Sequence, residues 1–170
     1  TPATELSSDP SWGVFDSRRA GGRVKLCDVR PSQLRELAPA QKAKLAIYIT
    51  DQHRRGEEEP QITPELLTKL QQRSAPTVSE QIDRFFIALS RRGFAANSDF
   101  MPPFSDPHRE DGEYLAAWTG CKDEREFAAL FELIQGEGYV KTPKLMGHGF
   151  TLSVEGFRRM EELQARAPDN

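Results

Sequence analysis

The chain has 170 residues, 37% of them hydrophobic and 29% charged, with a formal net charge of −3. That length suffices for one sizeable core or two small ones, and the clustering of the apolar residues excludes wholesale disorder. No run approaches the roughly 18 apolar residues of a membrane-spanning helix, and the N-terminus lacks a basic-then-apolar secretory pattern, so the expectation is a cytoplasmic protein with no membrane partner. The charge is uneven: residues 109–170 carry 8 Lys+Arg against 12 Asp+Glu, a net of −4, which leaves +1 for the first 108.

Residues 1–11 are polar, contain two prolines and read as a flexible leader. Residues 12–75 read as a hairpin with a helical subdomain. Val14 and Phe15, followed by Gly21-Gly22-Arg23-Val24-Lys25-Leu26, predict two short strands about a glycine turn, with Val24 and Leu26 on one face. Pro39 suits a first helical position, and Leu45, Tyr48 and Ile49 form a helical stripe that ends near Gly56 and the solvated run Glu57-Glu58-Glu59-Pro60. Thr63-Pro64-Glu65 then starts a helix to about Arg73, the hydroxyl capping and the proline costing no hydrogen bond there.

Residues 76–167 carry the stronger signals. After Pro76, Thr77 and Glu80 have capping-box spacing, and Ile82, Phe85, Phe86 and Leu89 stand at i, i+3, i+4 and i+7 of a core helix. Prolines deny regular structure to the segment from Gly93 to Glu110, which either packs over the surface with Phe94, Phe100 and Phe104 as anchors or serves binding. A short helix from Gly112 to Trp118 and a turn through Gly120 lead to a helix from Asp123 to Gln135, whose Phe127, Leu130, Phe131 and Ile134 repeat the core spacing. A strand from Tyr139 to Lys141, a turn at Gly147-His148-Gly149, a strand from Phe150 to Leu152 and a helix from Ser153 complete the pattern. The expectation is a mostly helical α+β protein: a winged helix-turn-helix preceded by a β-hairpin and a helical extension.

Winged helices recognise nucleic acid or protein partners more often than they perform chemistry, and motif spacing agrees. His53, His108 and His148 have no i+4 partners, Cys27 and Cys121 have no paired thiol, and no GxSxG, P-loop or HExxH is present. Neither an enzyme nor a cofactor is expected of these residues, and Cys121 reads as a packing residue. Candidate phosphate contacts are Arg18, Arg19 and Arg23 on the glycine hairpin, where residues 16–30 have a net +3, and Lys141, Lys144, Arg158 and Arg159 on or after the wing. Arg91 and Arg92 are possible additions to the first set. Against them stands the helix that would enter a groove: residues 123–137 contain five carboxylates and one guanidinium. Facing those acids toward phosphate adds repulsion where counterion release ordinarily supplies affinity. The alternative partner is therefore a protein, either another chain or a second copy of this one, meeting the acidic helix face and the aromatic-rich loop.

Three stretches carry a family resemblance: Asp16-Ser17-Arg18-Arg19-Ala20-Gly21-Gly22-Arg23-Val24; Leu45 to Gly56 with Pro60-Gln61-Ile62-Thr63; and Phe150-Thr151-Leu152-Ser153-Val154-Glu155-Gly156-Phe157 running on to Leu163. They resemble the N-terminal winged-helix region of bacterial proteins, associated with antiviral defence, that carry a C-terminal Toll/interleukin-receptor-like or nucleoside deoxyribosyltransferase-like effector domain. The resemblance implies a sensing or docking role, with an effector domain or chain as partner and any nucleoside- or NAD-cleaving activity residing there. In many relatives the hairpin looks like a zinc ribbon with Cys-x-x-Cys-Gly; this chain has serine and arginine instead, so no metal is carried over.

Overall fold

A computed structural model of the chain describes residues 4–5, 12–17, 21–93, 110–141 and 150–166. It divides into two compact units at Ala75/Pro76, each with its own apolar cluster. Among the described residues are seven helices and two small sheets, an α+β protein in which helix predominates.

In the first unit, β2 (Trp12–Ser17) and β3 (Gly22–Cys27) pair antiparallel from Trp12↔Cys27 to Ser17↔Gly22. Gly21 supplies the positive φ of 87° that the reversal needs, and its N–H donates to the Ser17 carbonyl. Period-two burial puts Val24 and Leu26 inside, against Leu45 and Ile49 of α2 (Pro39–Arg54) and Leu70 of α3 (Pro64–Gln72). Thr63 caps α3 by accepting from the Leu66 N–H at 3.2 Å. Three short elements go beyond the sequence pattern. Within the stretch read as a leader, Thr4 and Glu5 form β1 and pair with Asp16 and Phe15, giving the backbone groups of β2 partners on that side. Pro31–Glu36 forms α1, which buries no residue and so has no apolar stripe to announce it. Gln61–Ile62 forms β4, parallel to β3, in a sheet of order β1-β2-β3-β4. Two residues are too few to show a period, yet Ile62 is fully buried.

The second unit is built on α4 (Val78–Arg91), α5 (Glu110–Thr119), α6 (Glu124–Gly136) and α7 (Val154–Ala165). The capping box forms at the start of α4: the Glu80 N–H donates to Thr77 Oγ1 at 3.3 Å and the Thr77 N–H to Glu80 Oε2 at 2.7 Å. Phe85, Phe86 and Leu89 pack with Phe127, Leu130, Phe131 and Ile134 in one cluster, where the Phe85 and Phe131 rings meet edge-on at 6.2 Å. α5 is buried from Tyr114 through Thr119, so it lies within the core rather than over it. After α6, Gly138 at φ 76° turns the chain into β5 (Val140–Lys141). β5 pairs antiparallel with β6 (Thr151–Leu152) through Val140↔Leu152 and Lys141↔Thr151.

The seating of α7 depends on one glycine. The Ser153 N–H donates to the Tyr139 carbonyl at 2.9 Å, and Ser153 Oγ accepts from the Gly156 N–H at 3.1 Å. A Cβ on Gly156 would lie 2.2 Å from the same carbonyl oxygen. Only a residue without a side chain lets the first turn of α7 approach β5 this closely.

Candidate functional site

Of the seven cations singled out from sequence, Arg18, Arg19 and Lys144 lie outside the described residues, as do the Gly147-His148-Gly149 turn, His108 and the segment 94–109. Arg23 belongs to the first unit, where its guanidinium meets Glu59 Oε1 at 2.8 Å. Lys141, Arg158 and Arg159 belong to the second.

These three do not form a bare basic surface. Arg159 directs Nε and Nη2 at Asp83 Oδ1, at 3.1 and 2.6 Å, and Nη1 at Glu162 Oε2 at 3.5 Å. Its hydrogen bond to Asp83 raises its pKa further, and the geometry makes it a tie between α7 and α4. Gln164 and Ser90 form a second tie between the same helices. Lys141 and Arg158 are exposed. Between them electrostatically stands Glu155 in the first turn of α7, its carboxyl held below the usual range first by its backbone hydrogen bond and then by Ser153, Arg158 and Lys141. Each described member of the set thus has a carboxylate as neighbour.

The first turn of α6 is acidic for a local reason. Asp123 Oδ1 accepts from the Glu126 N–H at 2.8 Å, and Glu126 Oε2 accepts from the Lys122 N–H at 2.7 Å. Two of the acids therefore close the helix start and favour its dipole. On the side of α6 away from the core, Ala129, Leu133 and Gly136 are exposed, Leu133 to 51%.

Arg91 and Arg92, considered alongside the hairpin cations from sequence, instead cover aromatic faces of α5 in the second unit. The Arg91 guanidinium lies 5.5 Å from the Trp118 ring centre and that of Arg92 lies 4.2 Å from the Tyr114 ring centre. Arg84 Nε donates to the Trp118 carbonyl at 2.7 Å. The i, i+4 spacing of Tyr114 and Trp118 sets the two rings together on α5, their centres 5.6 Å apart.

Cys121 is buried, with Thr119 Oγ1 3.3 Å from its sulfur and Gln81 Nε2 donating to it at 3.7 Å. Desolvation pushes its thiol up to about 11, so at neutral pH it is protonated and a poor nucleophile. Cys27 is likewise buried and shifted upward by desolvation. His53, on α2, places Nδ1 2.9 Å from the Glu57 carbonyl oxygen. Among the described residues no three His, Cys, Asp or Glu side chains gather as a metal site, and no helix is long and apolar enough to cross a membrane. Comparison with protein-family models, with curated proteins and with solved structures gave no match.

Proposed function

We propose that this chain is a non-catalytic winged-helix recognition module of bacterial antiviral defence, and that it docks a protein partner. The succession of α4, α5, α6, the paired β5 and β6, and α7 supports the winged-helix reading. The resemblance of its hairpin and its last helix to defence-associated sensor regions supports the setting, and a joined or separate effector is the partner such regions serve.

The observation that carries the protein reading is the acidity of α6. This helix stands where a winged helix would enter a groove, and it presents Glu124, Glu126 and Glu132 around a single Arg125. Nucleic acid is the second reading, favoured by exposed Lys141 on β5 and exposed Arg158 on α7. Either way the protein supplies binding rather than chemistry.

Titration of the full chain with single- and double-stranded DNA and RNA, from about 50 to about 200 mM salt, separates the two. The protein reading expects no saturable binding at the upper salt. Tight binding that falls steeply with salt, and flattens when Lys141 and Arg158 become Gln, would overturn it.

A further inference from the structure

A surface helix needs one apolar stripe; α6 has two. Phe127, Leu130, Phe131 and Ile134 form the buried one. Ala129, Leu133 and Gly136 repeat an i, i+4, i+7 spacing on the opposite side, within an arc of about 60° at roughly 100° per residue. Leu133, at its centre, is among the most exposed large apolar side chains described, and the space over Gly136 is open, since a Cβ built there would meet nothing within 4 Å. By the same projection Arg125 and Glu132 border the stripe on one side, and Glu126 and Glu137 on the other.

Charge decides what can cover this strip. Residues 123–137 hold five carboxylates against one guanidinium, a net of −4. A polyanion is repelled. A second copy of the chain laid antiparallel across a two-fold axis would set the Glu126 and Glu137 border against itself, because an isologous contact pairs the same patch with itself. A cationic segment with an apolar centre meets neither objection.

We propose that the outward stripe of α6 is the docking surface for a basic amphipathic helix of a partner protein, whose apolar residues cover Ala129, Leu133 and Gly136 while its lysines or arginines pair with Glu132, Glu126 and Glu137. This rests on the protein-docking reading above and names the face and the chemistry of the partner. Leu133 is the apolar anchor; the bordering acids set orientation and the salt dependence of the on-rate.

The test uses the full chain, isotope-labelled for amide NMR, and three synthetic helices with identical leucine spacing or composition: one with lysine and arginine flanks, one with the same residues scrambled, and one with glutamate flanks. Saturable binding of the first alone is expected, with shifts centred on Ala129, Leu133 and Gly136. Leu133→Ser should weaken it about ten-fold, the equivalent of about 1.4 kcal/mol for an apolar anchor lost. Glu132→Lys with Glu137→Lys should weaken it and flatten its salt dependence. Equal binding of the glutamate-flanked or the scrambled helix overturns the proposal, as does absence of binding by the basic helix. Shifts centred away from α6 overturn the assigned face while leaving protein docking intact. Self-association in sedimentation that Leu133→Ser abolishes makes a second copy the occupant and overturns the proposal in the same limited way. Steeply salt-dependent nucleic-acid binding without peptide binding defeats the protein-docking reading itself.

Discussion

Replacing Gly156 by Ala tests how α7 is held. The new Cβ would lie 2.2 Å from the Tyr139 carbonyl oxygen, 3.1 Å from its carbon and 3.3 Å from Leu152 Cδ2. Carbon and carbonyl oxygen rest no closer than about 3.3 Å, so a gap of about 1 Å must open. The oxygen cannot retreat freely, because it accepts from the Ser153 N–H at 2.9 Å. Overpacking of this kind costs about 1–3 kcal/mol and loss of the hydrogen bond about 1 kcal/mol, while the better helix propensity of alanine returns at most about 1 kcal/mol. The net expectation is a loss of about 2 kcal/mol. Urea unfolding in a Trp12→Phe background reads it, since the chain has two tryptophans and Trp118 then reports on the second unit alone. Gly136→Ala is the internal control: no atom lies within 4 Å of its added Cβ, so the same chemical change should be neutral or stabilising by up to about 1 kcal/mol. Equal stability of Gly156→Ala and the parent, or destabilisation of both variants alike, would refute the close approach of α7 to β5.

Thr77→Ala removes the side-chain half of the capping box that starts α4, the hydroxyl that accepts from the Glu80 N–H, and leaves the Thr77 backbone N–H to Glu80; it should cost about 1 kcal/mol in the same urea assay, with Thr77→Ser close to the parent. Burial raises the Cys121 thiol from 9.0 to about 11, so the unfolded chain releases its proton first; stability present below pH 9 is lost as pH rises through about 11. Cys121→Ala should flatten that alkaline limb of the unfolding profile, and an unchanged limb would show that the thiol is not the group responsible. Arg159 and Asp83 are each partly exposed, at 26% and 30%, so screening reduces their pair to roughly 1 kcal/mol of coupling in a double-mutant cycle with Asp83→Asn and Arg159→Gln, smaller still in high salt. Zero coupling at low salt would mean that the Arg159–Asp83 pair does not tie α7 to α4, leaving that role to packing and to the Gln164–Ser90 hydrogen bond.

The elements that sequence revealed are those with enough buried positions to make a period. α4 and α6 each place apolar residues at i, i+3, i+4 and i+7, and both bury their aromatic faces in one cluster. The hydroxyl caps at Thr63 and Thr77 and the carboxylate cap at Asp123 were equally readable, because a cap and the N–H it serves lie within one turn. α1, with no buried residue, offers no such stripe and is closed locally, the Arg30 N–H donating to Gln33 Oε1 at 2.7 Å; β1 and β4, with two residues each, owe their form to the strands they pair with.

The site was legible to the same degree. Acidity of α6 follows from composition alone. The neighbours of the cations do not, being far off in sequence: Arg23 meets Glu59 past α1 and α2, and Arg159 meets a carboxylate 76 residues earlier, pairings that only the fold creates. The outward stripe of α6 is present in the sequence as Ala129, Leu133 and Gly136, but the larger residues of the core face dominate any periodicity taken over the helix.

The most direct test of the account is the rate at which a thiol placed on that stripe reacts. Cys27 and Cys121 are the only cysteines and both are buried, so a Leu133→Cys variant presents a single exposed thiol. Rapid maleimide labelling of the free chain is expected, slowed several-fold by saturating basic amphipathic helix and unaffected by duplex DNA. Labelling that is slow in the free chain, or that duplex DNA slows and the basic helix does not, would contradict it.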